Sequence, residues 1–227
     1  MGKRLRICAL IPAYQEEENI GQVVERARKI NGVEEVIVVD DGSADRTCEV
    51  AKRSGATVLK HAKNAGKGRS LQTGFSYAVS KGFNAIITLD GDGQHLPEEI
   101  PLFIEKARKE EADIVVGSRM EDPRGMPPLR YWTNVLTSLV TTMLAGTRIR
   151  DSQSGFRLIR SKVLQEVSLE SPKFAVESEL LIKAGKKGFN IKEIPITSVY
   201  LPDSTRKSKI SPLKDTLRFF MLIWRNI

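Results

Sequence analysis

The sequence predicts an α/β fold in which a mostly parallel sheet is covered by helices. Short apolar runs alternate with segments of helical periodicity in the first half of the chain. The runs at residues 35–39 and 85–89 are almost continuously apolar, as expected of strands buried on both faces. Alternating strands and helices place parallel strands side by side under crossover helices. A chain of 227 residues is long enough for one such domain with a substantial core.

Strand and helix signals alternate in a regular order up to residue 116. Strands are predicted at the short apolar runs, residues 6–11, 35–39, 57–59, 85–89 and 114–116. Helices are predicted where apolar residues recur every three or four positions, at residues 19–30, 45–54, 69–81 and 97–109. The apolar face of the first helix consists of Ile20, Val23, Val24 and Ala27. Pro97 begins the last of these helices, a position that tolerates proline.

The second half of the chain is less regular. Residues 121–128 form a loop rich in proline and glycine, and residues 129–145 are predicted to be a helix. We interpret the apolar residues of that helix as core, namely Trp132, Leu136, Leu139, Val140 and Met143. Further strands are predicted at residues 156–159 and 191–199, and further helices at residues 177–187 and 213–224.

The chain is basic, with a formal net charge of +8. A basic surface attracts nucleic acid, anionic lipid or phosphorylated small molecules, although a merely soluble lysine-rich surface has the same composition. The basic residues are not interleaved with aromatic ones, which disfavours nucleic-acid binding. Cys8 and Cys48 form neither a disulfide framework nor a metal pattern, so we expect a reducing, cytoplasmic setting. Neither a signal peptide nor a membrane span is predicted.

Two carboxylates follow the strand predicted at residues 85–89. Asp90 and Asp92 can both reach one hard cation together with ligand oxygens, and Gln94 offers another oxygen. Mg²⁺ and Mn²⁺ favour such oxygen ligands, with phosphates and waters completing the shell. Gly91 and Gly93 permit tight backbone geometry there. An isolated Asp-x-Asp also occurs as an acidic turn that binds no ligand. The residues that follow the other predicted strands therefore help to decide between a metal site and a simple turn.

Polar loops follow other predicted strands as well. Asp40 and Asp41 end the second strand, and carboxylates suit ribose hydroxyls or base N–H groups, although residues 42–47 also fit a turn and a helix cap. Residues 64–69 form a glycine-rich loop that can bring backbone N–H groups and Lys67 to a phosphate. The loop lacks the P-loop pattern and the chain has no GxGxxG, which disfavours ATPases and dehydrogenases. Ligands bind beyond the carboxyl ends of parallel strands, so these loops predict one binding edge.

Taken together, the motifs resemble those of family 2 glycosyltransferases of the GT-A fold. The matching segments are residues 11–19, 39–47, 64–68 and 90–95. Three later segments resemble those of a subgroup of this family that includes dolichyl-phosphate mannose and glucose synthases. These segments are residues 117–119, 151–156 and 208–209. The resemblance implies a Rossmann-like, mixed but mostly parallel sheet flanked by helices.

The resemblance also implies a role for each matching residue. Nucleotide-sugar binding falls to Pro12, Ala13, Tyr14, Glu16, Asp40, Asp41, Lys67 and Asp90. The residues implied to hold Mg²⁺ or Mn²⁺ with the diphosphate are Asp90, Asp92 and Gln94. The acceptor phosphate is implied to meet Arg119, Arg130, Arg206 and Lys209. The catalytic residues implied are Asp92, Arg119 and Glu179, the last of them near the sugar.

The implied reaction is the inverting transfer of a hexose, mannose or glucose, from a GDP- or UDP-sugar to a polyprenyl or dolichyl phosphate. A phosphomonoester has a second pKa of about 6 and is largely anionic at neutral pH, so it needs no strong general base. A sugar or alcohol acceptor needs one, with Glu179 the first candidate and Glu177 the second. The sequence also leaves open a non-catalytic sugar-nucleotide-binding subunit, whereas residues 12–15 disfavour a sugar-1-phosphate nucleotidyltransferase.

The end of the chain predicts a membrane-surface element. Residues 1–211 are predicted to form the catalytic domain, and residues 212–227 an amphipathic helix. The apolar face of that helix consists of Leu213, Leu217, Phe220, Met221 and Trp224. Basic residues flank this face, which suits the boundary of an anionic bilayer and predicts a peripheral enzyme at the cytoplasmic side of the membrane. The same face also fits packing on the domain, on a second copy or on a membrane-protein partner.

Overall fold

A seven-stranded sheet forms the centre of the protein in a computed structural model, which describes residues 5–171 and 175–197. The strands are β1 (Ile7–Ala13), β2 (Val33–Asp40), β3 (Thr57–Lys60), β4 (Ala85–Thr88), β5 (Ile114–Ser118), β6 (Arg157–Arg160) and β7 (Ile191–Pro195). Their spatial order is β3-β2-β1-β4-β6-β5-β7. β2, β4 and β5 are short runs rich in β-branched residues, which suits a pleated surface packed on both sides.

The sheet is mixed, and its one reversed strand decides where the loops meet. The pairs among β1, β2, β3 and β4 are parallel, and so is the pair of β5 with β7. β6 lies between β4 and β5 and runs antiparallel to both. The loop that precedes β6 therefore lies at the same edge as the carboxyl ends of β4 and β5. The predicted mixed, mostly parallel sheet is confirmed.

Helices cover both faces of the sheet. They are α1 (Ile20–Arg28), α2 (Thr47–Arg53), α3 (Lys67–Ser80), α4 (Ile100–Lys109), α5 (Pro128–Ala145), α6 (Ser161–Glu166) and α7 (Val176–Lys186). Buried residues of α1, α2 and α4 join one apolar cluster, and those of α3, α6 and α7 join the other. A 3-10 turn, Pro97–Glu99, precedes α4 where one continuous helix was predicted. The short helix α6 was not predicted, because its six residues are too few to show periodicity.

The helix α5 presents its apolar residues outward, so their interpretation as core was wrong. Five large apolar side chains are between 53% and 73% exposed, namely Leu129, Trp132, Leu136, Leu139 and Met143. The residues that α5 buries include Asn134, Thr137, Ser138 and Thr141. Their polar groups are satisfied by backbone carbonyls and by the loop before β6. Val140 is half-buried and packs against Ile182 of α7.

The C-terminal predictions fall mostly outside the described residues. The strand predicted at residues 191–199 is present as β7, although its last two positions are not described. The predicted helix at residues 213–224 and the domain boundary at residue 212 also lie outside the described part of the chain. Within residues 5–171 and 175–197, no helix has both the length and the apolar character needed to cross a bilayer.

Gly42 lies two residues after the end of β2, and the position requires glycine for two reasons. Its φ of 73° lies in the left-handed region. A Cβ placed there would also come within 2.6 Å of the Lys63 backbone carbon, so the backbones of two loops meet at this residue. Gly93 has a nearly equal φ of 77°, but a Cβ there would meet no atom within 4 Å.

We predict that Gly42→Ala lowers the free energy of unfolding by about 2–5 kcal/mol. Left-handed strain contributes about 1–2 kcal/mol and the backbone collision a further ~1–3 kcal/mol. The matched control Gly93→Ala carries only the strain and should cost about 1–2 kcal/mol. Chemical denaturation of the three proteins measures the difference. Equal losses for the two variants would contradict the close approach of the loops.

Candidate active site

The carboxyl edge of the sheet brings the chemically active residues together. Asp40 ends β2, Asp90 follows β4 by two residues, and Arg119 directly follows β5. The loop 151–156 reaches the same edge because β6 is antiparallel: Arg157 pairs with Thr88 on one side and Val116 on the other. The prediction that the loops after the parallel strands share one edge is confirmed, whereas the position of the loop 151–156 at this edge was not predicted.

At the centre of this edge, one lysine contacts two carboxylates. Lys67 begins α3, and its Nζ lies 2.6 Å from Asp90 Oδ1 and 2.8 Å from Glu177 Oε1. Burial alone would lower the pKa of Lys67, but the two carboxylates raise it above its usual value. The same ammonium group holds the pKa of Asp90 well below its usual range, against the effect of burial. Both groups are therefore charged throughout the physiological pH range.

Gly155 makes room for this ion pair. A Cβ at Gly155 would lie 2.9 Å from both carboxylate oxygens of Asp90 and 2.9 Å from Lys67 Nζ. Any other residue would therefore push the two charged groups away from the loop before β6. Sequence reasoning named the segment that contains Gly155 but not this role, because a close approach between distant segments leaves no local signal.

The second carboxylate of the metal motif has a different environment. Asp92 is half-buried, and its Oδ1 accepts a hydrogen bond from the Gln94 backbone N–H at 3.0 Å. Burial and the nearby Asp90 charge raise the pKa of Asp92. Gly93 has the left-handed backbone expected of this turn, whereas a Cβ at Gly91 would meet only ordinary contacts at 3.5 Å and beyond. The tight geometry predicted for both glycines therefore applies to Gly93 alone.

The histidine beside the acidic turn has a structural contact. His95 is buried, packs against Phe156 at a ring-centroid distance of 5.2 Å, and its Nδ1 accepts a hydrogen bond from the Asp90 backbone N–H at 3.2 Å. Burial lowers the pKa of His95, so the ring is held neutral with Nδ1 as the acceptor. His95 therefore orients the backbone that carries Asp90.

The acidic turn fits a Mg²⁺ or Mn²⁺ ion that is shared with a ligand. Among the described residues there is no cluster of three or more His, Cys, Asp or Glu side chains that could hold a metal alone. Mg²⁺ is usually bound by one or two carboxylates, here Asp90 and Asp92, with substrate phosphates and waters completing the octahedron. Burial and the Asp90 charge raise the pKa of Asp92 and so disfavour its ionised form, which a divalent cation would favour.

Arg119 lies in a buried ion pair. Its Nε and an Nη lie 2.8 Å from the two carboxylate oxygens of Asp151, and the Arg119 backbone N–H also donates to Asp151. Asn134 of α5 donates to the same carboxylate at 2.8 Å. Burial alone would raise the pKa of Asp151, but Arg119 lowers it to about 2. The implied contact of Arg119 with an acceptor phosphate therefore has to be made by a guanidinium that already binds Asp151.

Arg157 holds the loop before β6 from inside the protein. Its guanidinium is buried and donates to the backbone carbonyls of Ser152, Ser154 and Glu177. Burial lowers the pKa of Arg157 to about 10, which still leaves it charged at neutral pH. This residue fixes both the loop and the first turn of α7, and the sequence prediction did not include it.

At the end of β2, the two aspartates serve different purposes. Asp41 accepts hydrogen bonds from the backbone N–H groups of Ala65 and Gly66 and contacts His61 at 2.8 Å, so it holds the glycine-rich loop. Asp40 is fully buried; its Oδ1 accepts from the Ser43 N–H, while its Oδ2 has no hydrogen bond and lies 3.8 Å from Lys60 Nζ. Asp40 is thus the aspartate with an oxygen left for a ligand.

The loop after β1 lies beside Asp40 and Asp41. Ala13 pairs with Asp40 in the sheet, and its carbonyl accepts a hydrogen bond from the Asp41 N–H. Pro12 and Tyr14 on either side of Ala13 are half-buried. Glu16 is buried, and its N–H donates to Thr47 Oγ1 at 2.8 Å. The structure therefore brings the four residues implied to bind a nucleotide next to the end of β2.

The structure separates the two glutamates proposed as a general base. Glu179 is buried and accepts hydrogen bonds from the backbone N–H groups of Glu170 and Ser171, and Lys183 Nζ lies 2.7 Å from it. Glu177, the second choice from sequence, contacts Lys67 instead. The order of preference stays a prediction, since the structure shows only that the two glutamates, two positions apart at the start of α7, have different partners.

The remaining acceptor residues are only partly described. Arg130 lies in the first turn of α5 and is half-buried. Arg206 and Lys209 lie outside the described residues.

Comparisons with known proteins agree with this geometry. Residues 8–168 match the model of glycosyl transferase family 2. The chain is 33% identical over 216 residues to a UDP-N-acetylglucosamine–dolichyl-phosphate N-acetylglucosaminyltransferase of Methanococcus voltae, covering 86% of each chain. It is 30% identical over 206 residues to an undecaprenyl-phosphate mannosyltransferase of Micrococcus luteus, covering 86% of this chain and 84% of the other.

A solved structure shares the fold. Glucosyl-3-phosphoglycerate synthase from Mycobacterium tuberculosis, crystallised with Mn²⁺, uridine diphosphate and glucosyl-3-phosphoglycerate, superposes with a TM-score of 0.75. The sequence identity is 20%, with 98% of this chain and 80% of the other covered, so the likeness concerns the fold. The family match and the relatives together show that this chain belongs to glycosyl transferase family 2 and is a glycosyltransferase.

We predict that Asp151→Asn lowers the free energy of unfolding at pH 7 by about 3–5 kcal/mol, because it removes the carboxylate charge that neutralises the buried Arg119 guanidinium. The exposed pair of Arg124 with Asp122 has the same chemistry, and Asp122→Asn should cost far less because solvent screens this pair.

The pKa of Asp151 is lowered in the folded state, so its contribution is complete above the unfolded pKa of about 4 and declines as the pH falls towards 2. Urea denaturation at pH 7 and pH 3 measures both effects. A loss for Asp151→Asn no larger than that for Asp122→Asn would contradict the buried pair.

Proposed function

We propose that this glycosyltransferase moves a sugar from a GDP- or UDP-sugar to a polyprenyl or dolichyl phosphate. The observation that carries the proposal is the cluster of charged residues at the carboxyl edge of the sheet. The Asp90–Lys67 ion pair and Asp92 lie at the same edge as Asp40, the last residue of β2. Cationic and metal-binding groups at this edge suit a diphosphate, and the uncommitted oxygen of Asp40 suits a ribose hydroxyl or a base N–H.

Mg²⁺ or Mn²⁺ would be held by Asp90 and Asp92, with Gln94 as a further oxygen donor. When bound, the ion stabilises the negative charge of the departing nucleoside diphosphate. The protein's own residues provide the surroundings: His95 orients the Asp90 backbone, and Gly155 leaves room for the Asp90 side chain. The solved relative contains Mn²⁺ and uridine diphosphate, which supports the proposal as an analogy of fold.

The names of the two relatives support a lipid-linked phosphate as the acceptor. One is named for dolichyl phosphate and the other for undecaprenyl phosphate. They are named for different sugars, N-acetylglucosamine and mannose, so the sugar proposed here extends from mannose or glucose to N-acetylglucosamine. A phosphate acceptor also suits a site in which Glu179 is occupied by backbone N–H groups, since an anionic acceptor needs no strong base.

The exposed face of α5 supports a position at a membrane surface. Apart from Arg130, the helix carries no charged residue, and it has no acidic one. Its apolar stripe therefore matches the acyl boundary of a bilayer, and the net charge of +8 favours an anionic one. The helix proposed at residues 212–227 would add a second contact. We propose on this basis a peripheral enzyme at the cytoplasmic side of the membrane.

We predict that the purified protein with Mn²⁺ glycosylates polyprenyl phosphate when it is offered a panel of GDP-mannose, UDP-glucose and UDP-N-acetylglucosamine. Mass spectrometry identifies the product and the sugar. Asp92→Asn should lower kcat/KM by about 100-fold or more, because several kcal/mol of charge stabilisation are lost. The control Glu105→Gln changes an exposed carboxylate of α4 and should leave turnover unchanged.

Full turnover by wild type in excess EDTA would contradict the metal assignment. Transfer to a sugar alcohol but not to polyprenyl phosphate would contradict the acceptor and favour an enzyme with a general base. No transfer by the chain alone, but transfer after a membrane protein is added, would favour a non-catalytic sugar-nucleotide-binding subunit.

We predict that the double variant Leu136→Glu/Leu139→Glu binds anionic vesicles at least about tenfold more weakly than wild type, since burying each leucine contributes about 1.5–3 kcal/mol. The matched control is Leu102→Glu, which changes an exposed leucine of α4. Vesicle flotation measures binding, and deletion of residues 214–227 tests the C-terminal segment separately. Unchanged flotation of the double variant, or a lowered free energy of unfolding, would show that the α5 face packs on protein instead.

A further inference from the structure

The Lys67 ammonium group lies where it competes with a cation for Asp90. Its Nζ is 2.6 Å from Asp90 Oδ1, so one oxygen of the proposed metal ligand already binds a positive charge. Lys67 is also tied to a second carboxylate, because Glu177 Oε1 lies 2.8 Å from the same nitrogen. The ammonium thus has a partner that remains when the contact with Asp90 is lost.

Most charges at this edge are paired within the protein. The carboxylates of Asp90, Asp151 and Glu177 face the three cations Lys67, Arg119 and Arg157. Asp92 and Glu16 add further negative charge. A divalent ion at Asp90 and Asp92 must compete with the Lys67 ammonium for an oxygen of Asp90, and the oxygens of a nucleoside diphosphate would supply ligands that offset this competition.

The carboxylate of Glu177 can accept further hydrogen bonds. Its side chain is 5% exposed, and neither Oε1 nor Oε2 accepts a hydrogen bond among the described residues, although Oε1 lies 2.8 Å from Lys67 Nζ. A buried carboxylate oxygen without a hydrogen bond is costly unless a donor reaches it in some state of the protein. An ammonium that moves away from Asp90 can turn its N–H groups towards both oxygens of Glu177, because Lys has three donors on a flexible stem.

We propose that Lys67 makes metal binding depend on the nucleotide: it occupies Asp90 in the free enzyme and shifts towards Glu177 when the metal arrives with the diphosphate. Lys67 and Glu177 are then positioning residues that act through Asp90. This inference rests on the proposed metal site at Asp90 and Asp92.

The test measures Mn²⁺ affinity directly, from the electron paramagnetic resonance signal of free Mn²⁺, with and without UDP. Wild type should bind Mn²⁺ weakly alone and at least about tenfold more tightly with UDP. Lys67→Met should raise the nucleotide-free affinity at least about tenfold and thereby reduce the effect of UDP, because the competing charge is gone. Lys67→Arg keeps the charge and should keep the dependence on UDP.

Lys60→Met is the matched control for the loss of one positive charge. Lys60 lies 3.8 Å from Asp40 at the same edge of the sheet and does not contact Asp90. Its removal should change the nucleotide-free Mn²⁺ affinity by less than about threefold, since exposed charges are screened. An equal gain for Lys60→Met and Lys67→Met would overturn the proposal in favour of a general charge effect.

A double-mutant cycle tests the part assigned to Glu177. Glu177→Gln should weaken nucleotide-free Mn²⁺ binding in wild type, because Lys67 is then held by Asp90 alone. In the Lys67→Met background the same change should have an effect at least about threefold smaller, whereas a purely electrostatic role gives additive effects. Lys67→Met/Glu177→Gln removes both charges together, so it replaces Lys67→Met in the comparison if the single variant does not fold.

Two failures are distinguishable. If wild type binds no Mn²⁺ even with UDP, the metal site itself is wrong and the inference falls with it. If wild type binds Mn²⁺ with UDP but Lys67→Met leaves the nucleotide-free affinity unchanged, the metal site stands and the role of Lys67 is overturned.

Discussion

Carboxylates gathered at one edge of a sheet must be neutralised from within the protein, and much of this structure follows from that constraint. Asp90 and Asp151 each bind a basic side chain that comes from another part of the chain, Lys67 and Arg119 respectively. Losing one partner of such a buried pair costs about 3–5 kcal/mol, so each pair holds two distant segments in register. Arg157 also joins distant segments, but through backbone groups, since its buried guanidinium donates hydrogen bonds to three backbone carbonyls.

The parallel half of the fold and its acidic loops could be predicted because their signals are local. A buried strand is an apolar run, and the residues that follow it lie at the carboxyl edge wherever the strand is parallel. Asp40 and Asp90 were found in this way. The contacts of Arg119 with Asp151, and of Gly155 with Lys67, could not be found, because they depend on β6 entering the sheet antiparallel between β4 and β5. Nothing within four residues of strand sequence specifies that choice.

Periodicity predicted that α5 is a helix but not which face it buries. The hydrophobic stripe of a helix packs against the core only when the polar face has no hydrogen-bond partners inside the protein. In α5 the opposite face has them: Asn134 binds Asp151, and Ser138 binds Ser152 and Asn134. These hydrogen bonds satisfy buried polar groups that would otherwise be costly, so the polar face packs inward and the leucines remain outside. The side chains that decided the orientation were polar ones in an otherwise apolar helix.

The two halves of the proposed donor site are mechanically joined through Asp41. Its carboxylate accepts hydrogen bonds from the Ala65 and Gly66 N–H groups, directly before Lys67 begins α3. His61 contacts the same carboxylate and, through its other ring nitrogen, Thr73 one turn and a half further along that helix. The end of β2, which would contact the nucleoside, therefore fixes the start of the helix that carries the ammonium. A shift of either part would disturb the other, because Asp41 binds the backbone of the residue directly before Lys67. Nucleoside contacts at Asp40 are in this way connected, through one neighbouring residue, to the cation that binds Asp90.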